Sequence, residues 1–451
     1  MRVGIVGGGI LGLTLGFRLG RLGHKVEIFE AAPEIGGLAG PQDYGPFVWD
    51  RFYHCILPQD GKLIGLLRDL DLDENLRWTQ TGTGYYGGGR FHSMSSNADF
   101  LRFPLLSLID KARLGAIVLY ASKLPDPYPL YRVTARDWLT KLCGRRGYEV
   151  FWRPLLKAKF GPFHDQVAAV FIWATLKRLY GARSATTARE KLGYVSGGYR
   201  HVLVRFRDRL AALGAVIHDG APVSAIEPAP AGAAAAGCEI AFEKRGERRT
   251  TRVDQVFFTG PTRLARGVAK GAFLPVVERA ERTYPTGSSY LGVACLVLAL
   301  KRSLIPYYLL NIGLDDTELT GVVEMTNLID RQVETKGHHL IYLPKYLDSA
   351  DERMNDPDDA LTTTLERGLT RLFPDYKPAE AVYRKIHRAR FVQPLPLVRD
   401  AQVSESFPTL EAPFQVLNTS MLACATLNNN DVVGFVDRFV NENGARFPLT
   451  S

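Results

Sequence analysis

Apolar and polar positions fall into blocks along this chain, and the period of each block predicts an element. An apolar run at 3–6 meets a glycine-rich turn. Apolar residues then recur at helical spacing: Ile10, Leu11, Leu13, Leu15, Phe17, Leu19 and Leu22. A second apolar run at 25–30 completes a strand–helix–strand unit. Between about 95 and 190 the pattern turns helical, with predicted helices at 101–124, 135–143, 148–159 and 167–180. Another glycine turn at 196–199 opens an amphipathic helix through Leu203, Phe206, Leu210 and Leu213, ended by Gly214. Short strands are predicted at 215–217 and 223–226, a Pro/Ala/Gly-rich loop at 228–237, and a buried strand with its turn at 253–261. The block 286–346 carries strand pattern, 358–373 is helical, and 414–440 reads as strand, polar loop and helix.

The first unit places Gly7, Gly9 and Gly12 in a G-x-G-x-x-G turn, and Glu30 closes its second strand. In that context the glycines predict a dinucleotide-binding βαβ unit. Gly7 permits the tight turn, Gly9 lets backbone N–H groups approach a pyrophosphate, and Gly12 lets helix and strand pack closely. The helix start at Ile10 and Leu11 adds unpaired donors and the positive dipole end. A carboxylate at Glu30 suits a ribose hydroxyl and disfavours a 2′-phosphate. Nucleotide-domain features recur at the start, middle and end of 451 residues, a length too great for one core. The expected fold is therefore α/β. A discontinuous Rossmann-like domain takes 1–85, 195–270 and 410–451, and an inserted α+β substrate domain takes 86–194 and 271–409.

Lysine and arginine number 56 against 47 acids, a balance of +9 that suits an anionic partner. The charges are spread rather than gathered with aromatics, which argues against nucleic acid. Cys55, Cys143, Cys238, Cys295 and Cys424 are scattered, with no C-x-x-C. They point to a reducing compartment, the cytoplasm, and to neither a metal site nor a disulfide framework. No apolar run is long enough to predict a membrane span. The block 100–121, interrupted by Arg102, Lys111 and Arg113, reads as a core-facing helix pair; peripheral contact with the inner face of a membrane is the other reading.

At four places the chain resembles the FAD-dependent amine-oxidase-like superfamily, which includes monoamine oxidases, protoporphyrinogen oxidase, phytoene-type desaturases and, more distantly, UDP-galactopyranose mutase. The first place is Gly7, Gly9, Gly12 and Gly16 with Glu30. The second is 30–37, Glu-Ala-Ala-Pro-Glu-Ile-Gly-Gly, similar to the superfamily's second glycine motif. There the resemblance implies that backbone around Ala31, Gly36, Gly37 and Leu38 approaches the cofactor. The third is Val223, where the family's mid-chain strand lines the adenine. The fourth is 418–433, from Asn418 to Asn430 and Val432, where a helix N-terminus capped by Asn430 would face the flavin. The resemblance implies a GR2-type FAD-binding domain, with FAD as cofactor. Two departures stand out. No arginine brackets Gly36–Gly37, since Glu34, Ile35 and Leu38 stand there. Ala294 or Cys295 occupies the strand position at which amine oxidases carry a lysine.

The cluster Asp50-Arg-Phe-Tyr-His-Cys55 offers Tyr53 and His54 as candidate catalytic residues on a segment that the resemblance runs along the flavin ring. His54 reads either as a base or orienting donor, or as a buried histidine bonded to backbone. Arg153, Lys157 and Lys159 read either as a site for an anionic substrate group or as a helix end facing water. The expected function is an FAD-dependent oxidoreductase, a dehydrogenase, desaturase or oxidase. It would take hydride from a C–H bond of a small, largely apolar substrate to flavin N5. Non-redox flavin chemistry on a sugar nucleotide is the alternative, and a silent flavin-bound protein the third reading.

Overall fold

The computed structural model describes residues 1–125, 127–181, 190–229, 237–284, 289–398, 408–410, 412–422, 426 and 428–447. Most of the expected loop at 228–237, the start of the block at 286, and Cys424 lie outside them.

Two sheets organise these residues. The first holds five strands in the order Phe414–Val416, Gln255–Phe258, Arg2–Val6, Lys25–Phe29 and Val216–His218, all paired in parallel. Parallel strands need crossovers and faces covered on both sides. Helices Ile10–Arg21, Gly198–Ala212 and Asn429–Glu442 share one core with these strands, through Leu13, Phe17, Phe206, Leu210, Val436 and Phe439. The expected strand–helix–strand unit is present within a residue at each end.

The second sheet has seven strands in the order Ala381–Pro394, Tyr290–Leu300, His339–Asp348, Gly321–Glu324, Leu309–Ile312, Thr83–Gly87 and Arg90–Ser93. Its pairs are antiparallel except Leu309–Ile312 with Thr83–Gly87. Tyr290–Leu300 is buried along all 11 residues because apolar clusters cover both its faces. Ala294 and Cys295 sit fully buried within it.

The expected boundary at 85 cuts through Thr83–Gly87, whose ladder belongs to the seven-stranded sheet. Glu190–Val195 likewise pairs with Leu76–Thr81, so the segments on either side of 194 are woven into one ribbon.

The helical block is shorter-stepped than expected. Asn97–Arg102 and Leu108–Lys123 replace one long helix, each with its own serine cap, Ser96 and Ser107. On the second helix Leu114, Ile117 and Ala121 face the core, while Leu108 (75% exposed), Ile109 (65%) and Leu119 (53%) face outward. The apolar residues of this block therefore divide between two faces. No helix among the described residues is long and apolar enough to cross a membrane.

Candidate functional site: a glycine cradle beside an aromatic chamber

The strand Arg2–Val6 delivers the chain to Gly7, whose φ of +117° only glycine adopts readily. A Cβ at Gly12 would run into the Gly7 carbonyl, so this position holds helix against turn. Gly9 differs. A Cβ there meets nothing within 4 Å, so the loop leaves open space in front of it. Gly9 caps Ile10–Arg21 without a side-chain bond, so no side chain covers the first-turn N–H groups at Ile10 and Leu11. The Glu30 carboxylate accepts from Gly8 N at 2.7 Å and Ala32 N at 2.8 Å, which fixes the loop. Each oxygen keeps a second lone pair for a ribose hydroxyl.

The second glycine motif docks on the first. Gly36 N donates to Gly8 O at 2.8 Å, and Gly36 and Gly37 take φ of +124° and +55°. A Cβ at Gly37 would meet Gly9 Cα at 3.3 Å, so the two loops form one concave wall of backbone. Ala31 is exposed and Leu38 half-buried at its rim. No arginine flanks the glycine pair in sequence, yet one arrives from the next segment. A Cβ at Gly40 would lie 2.9 Å from Arg51 Nη2. Open space, uncapped amides, the Glu30 carboxylate and this guanidinium fit the phosphate and ribose of a dinucleotide. Val223 is half-buried at the first position of Val223–Pro228.

The C-terminal segment corrects the expected cap. Asn428, not Asn430, caps Asn429–Glu442, accepting from Asp431 N at 2.9 Å. Asn430 instead turns its Oδ1 to Lys62 N (3.0 Å) and Leu63 N (3.2 Å), capping the neighbouring helix Gly61–Asp69. Asn418 spends both amide hydrogens on Gly260 O and Thr262 Oγ1, and its oxygen accepts from the Ser420 N–H and hydroxyl. Its side chain therefore ties loops together, with nothing left for a ligand. Val432 is buried in the core of the first sheet. The asparagine that reaches the site is Asn429, whose Nδ2 donates to Tyr199 OH at 2.6 Å.

Tyr199 links this helix to the expected His54. The two rings lie 4.8 Å apart, and Asp50 Oδ2 stands 3.6 Å from His54 Nδ1, too long for a hydrogen bond. His54 Nδ1 is buried with no hydrogen-bond partner. Asp50 is held hard: its Oδ1 accepts from Tyr199 N at 2.7 Å, and its carbonyl accepts from Tyr44 OH at 3.0 Å and Tyr342 OH at 2.6 Å. Gly198, at φ +65°, makes the approach possible, since a Cβ there would meet Asp50 Oδ1 at 2.8 Å. A narrow pocket runs between Trp49, His54, Tyr194 and Tyr199. Burial pushes the Tyr199 phenol well above its ordinary range.

Tyr53 faces the other way. Its OH lies 3.1 Å from Tyr346 OH, and burial raises both phenols. Of the three basic residues at 153–159, Arg153 pairs with Glu149 and Asp315 near the surface. Lys159 turns inward, its Nζ 5.1 Å from the Phe171 ring centre, 5.4 Å from Tyr346 and 5.8 Å from Phe160. Burial lowers its pKa to about 8.

A parallel sheet ending in a cradle of backbone amides, in a chain whose second sheet carries a cluster of rings, fits an enzyme with a nucleotide cofactor. A family model for flavin-containing amine oxidoreductases matches residues 12–410. The chain belongs to this family; it is a flavin-dependent oxidoreductase, and FAD is its cofactor.

No curated protein sequence matches the chain. Among solved structures, an oxidoreductase from Methanosarcina mazei aligns at TM-score 0.72 and 17% identity, covering 98% of this chain and 100% of that one. Reduced UDP-galactopyranose mutase aligns at 0.71 and 15% identity, over 98% and 96% of the two chains. A putrescine oxidase redesigned at its cofactor site aligns at 0.71 and 15% identity, over 99% of each. At these identities the likeness is one of fold.

Proposed function

We propose that this enzyme removes a hydride from a C–H bond of a small, largely apolar substrate, as a dehydrogenase, desaturase or oxidase. The observation that carries the reading is the aromatic cluster that makes up the chamber: half-buried Tyr53 and Tyr346, joined through their hydroxyls at 3.1 Å, with Phe160 and Phe171 nearby around Lys159. Tyr53 comes from the segment that follows the glycine pair. FAD, when bound, supplies the hydride acceptor. In this reading it lies in a Rossmann-like, GR2-type site. Gly7, Gly9, Ile10, Leu11 and Gly12 face the pyrophosphate, Glu30 the ribose, Val223 the adenine, and Ala31, Gly36, Gly37 and Leu38 the path toward the ring. The nucleotide domain is drawn from 1–82, 196–270 and the segment after 408, with the substrate domain between them.

The protein's own side chains have defined tasks. Apolar walls keep water from the reacting carbon, and Tyr53 and Tyr346 orient the substrate through paired phenols. His54, backed by the fixed Asp50 carboxylate, holds or moves a proton at its imidazole nitrogens.

The test is an anaerobic visible spectrum of the purified protein, titrated with apolar and amine candidates and then with dithionite. Bleaching by a candidate supports hydride removal. Bleaching by dithionite alone, with a UDP-sugar isomerised only afterwards, would replace this reading by the mutase one. Flavin that bleaches with dithionite and then converts nothing would leave a binding protein.

A second reading concerns location. Leu101, Leu108, Ile109, Leu119 and Tyr120 are exposed beside Arg102, Arg113 and Lys123. We propose that this face rests on an anionic membrane surface. Co-flotation with vesicles containing phosphatidylserine, lost on Leu108→Ser with Ile109→Ser, is the expected result. Equal flotation of both proteins would remove the proposal.

A further inference from the structure

Lys159 does not sit like a surface lysine: its ammonium lies among rings. It sits in the last turn of Arg153–Phe160, on a helix whose Leu156 and Phe160 are buried. The end of that helix is fixed against the second sheet: Thr320 Oγ1 donates to Ala158 O at 2.9 Å and accepts from Tyr346 N at 3.1 Å. The ammonium is thereby held among Phe160, Phe171 and Tyr346. No carboxylate, carbonyl or hydroxyl among the described residues bonds it, and burial alone accounts for its lowered pKa. By contrast Lys345, on the same sheet, donates to Thr317 O at 2.7 Å, and Lys111 donates to Leu101 O at 2.7 Å.

A half-buried ammonium with three ring faces and no anion is incompletely compensated, because ring quadrupoles replace only part of its hydration. Its place in the chamber supplies the missing partner. One of its three rings, Tyr346, carries the hydroxyl paired with Tyr53. A group lying against those phenols could therefore present an anion to Nζ while its body packs on the rings.

We propose that Lys159 anchors a carboxylate or phosphate carried by the otherwise apolar substrate. The inference deepens the proposed function and relies on it only for what happens to the anchored molecule. The substrate class becomes an apolar or aromatic body bearing one anionic group. Lys159 is a specificity residue here: it touches the anionic group and takes no part in bond breaking.

The test is calorimetric titration of the purified flavoprotein with benzoate, phenyl phosphate and the neutral benzyl alcohol, repeated on Lys159→Met and Lys159→Arg. Benzoate or phenyl phosphate should bind the parent about tenfold more tightly than benzyl alcohol, as one charge-assisted bond allows. The preferred anion identifies carboxylate or phosphate as the natural group. Lys159→Met should lose about that factor for the anion and leave the alcohol unchanged, and Lys159→Arg should restore most of it. Equal anion affinity in parent and Lys159→Met, or no anion preference in the parent, would overturn the proposal. Should Lys159→Met fail to fold, Lys159→Gln, which keeps a polar end, carries the same comparison. Failure of the oxidoreductase reading shows separately, as flavin that no candidate bleaches while anion binding still depends on Lys159.

Discussion

The cradle and the chamber are built from different materials. The cradle at Gly7–Gly12 and Gly36–Gly37 is almost all backbone: its shape comes from positive φ angles and from positions where a Cβ would collide. The chamber and its neighbour cluster are made of side chains from remote segments: Tyr53, Lys159, Phe171 and Tyr346 on one side, and Asp50, His54, Tyr199 and Asn429 on the other. A backbone site holds groups that every relative of a cofactor shares. A side-chain site is free to change, and it is where a substrate is chosen.

The largest effect should come from splitting the cradle's two kinds of glycine. Gly9→Val should fold with an unchanged melting curve yet purify without flavin, because its side chain fills the open space. Gly12→Val should fail to fold, because its Cβ meets the Gly7 carbonyl. Flavin retained by Gly9→Val would break the comparison at its root.

Next comes His54→Ala, which should keep its flavin and slow reduction by substrate by about 10²-fold, within the range for a lost proton-transfer group. An unchanged rate would make His54 a packing residue against Tyr199. Arg51→Gln should weaken FAD binding by about tenfold, the worth of one charge-assisted contact, with flavin content after dialysis as the measure. Full retention would mean that backbone alone holds the phosphates.

The smallest effect is on stability, and it runs upward. Lys159 is pushed from its ordinary value near 10.5 down to about 8. The folded chain therefore carries a penalty for the charged form at every pH below 8, and loses it as pH rises to 10.5. Lys159→Met should be more stable than the parent at pH 7 by about 2 kcal/mol, allowing for partial exposure. The gap should close above pH 8. A constant gap across denaturant titrations at pH 7, 9 and 10.5 would show that the ammonium is not desolvated.

The same contrast decides what could be read from the sequence. The cradle was legible because strand, glycines, helix and carboxylate lie within thirty residues, where local rules act. The five-stranded sheet was legible in outline, since its strands are short apolar runs ended by turns. The cluster at His54 was not, because residues 50, 199 and 429 meet only in three dimensions. One signal was available and missed. Among three consecutive asparagines, only Asn428 has an acid three residues on, Asp431, the spacing of a capping pair. Lys159 could not be assigned from its charge, since water-facing and ring-facing lysines have the same letter. The approach of Arg51 to Gly40 was hidden for a related reason: it is made through space from the next segment, not by a residue flanking the glycine pair.

The order of strands in the first sheet also sets a timetable for synthesis. Arg2–Val6 is the first strand made, but the sheet is closed by Phe414–Val416, with Gln255–Phe258 between them. At cellular elongation rates Gln255–Phe258 waits roughly 8 to 30 s for Phe414–Val416, and during that time it has an unpaired edge. The glycine loop emerges well before the helix bearing Asn429. A nascent chain therefore has the phosphate end of the cradle long before it can enclose the other end.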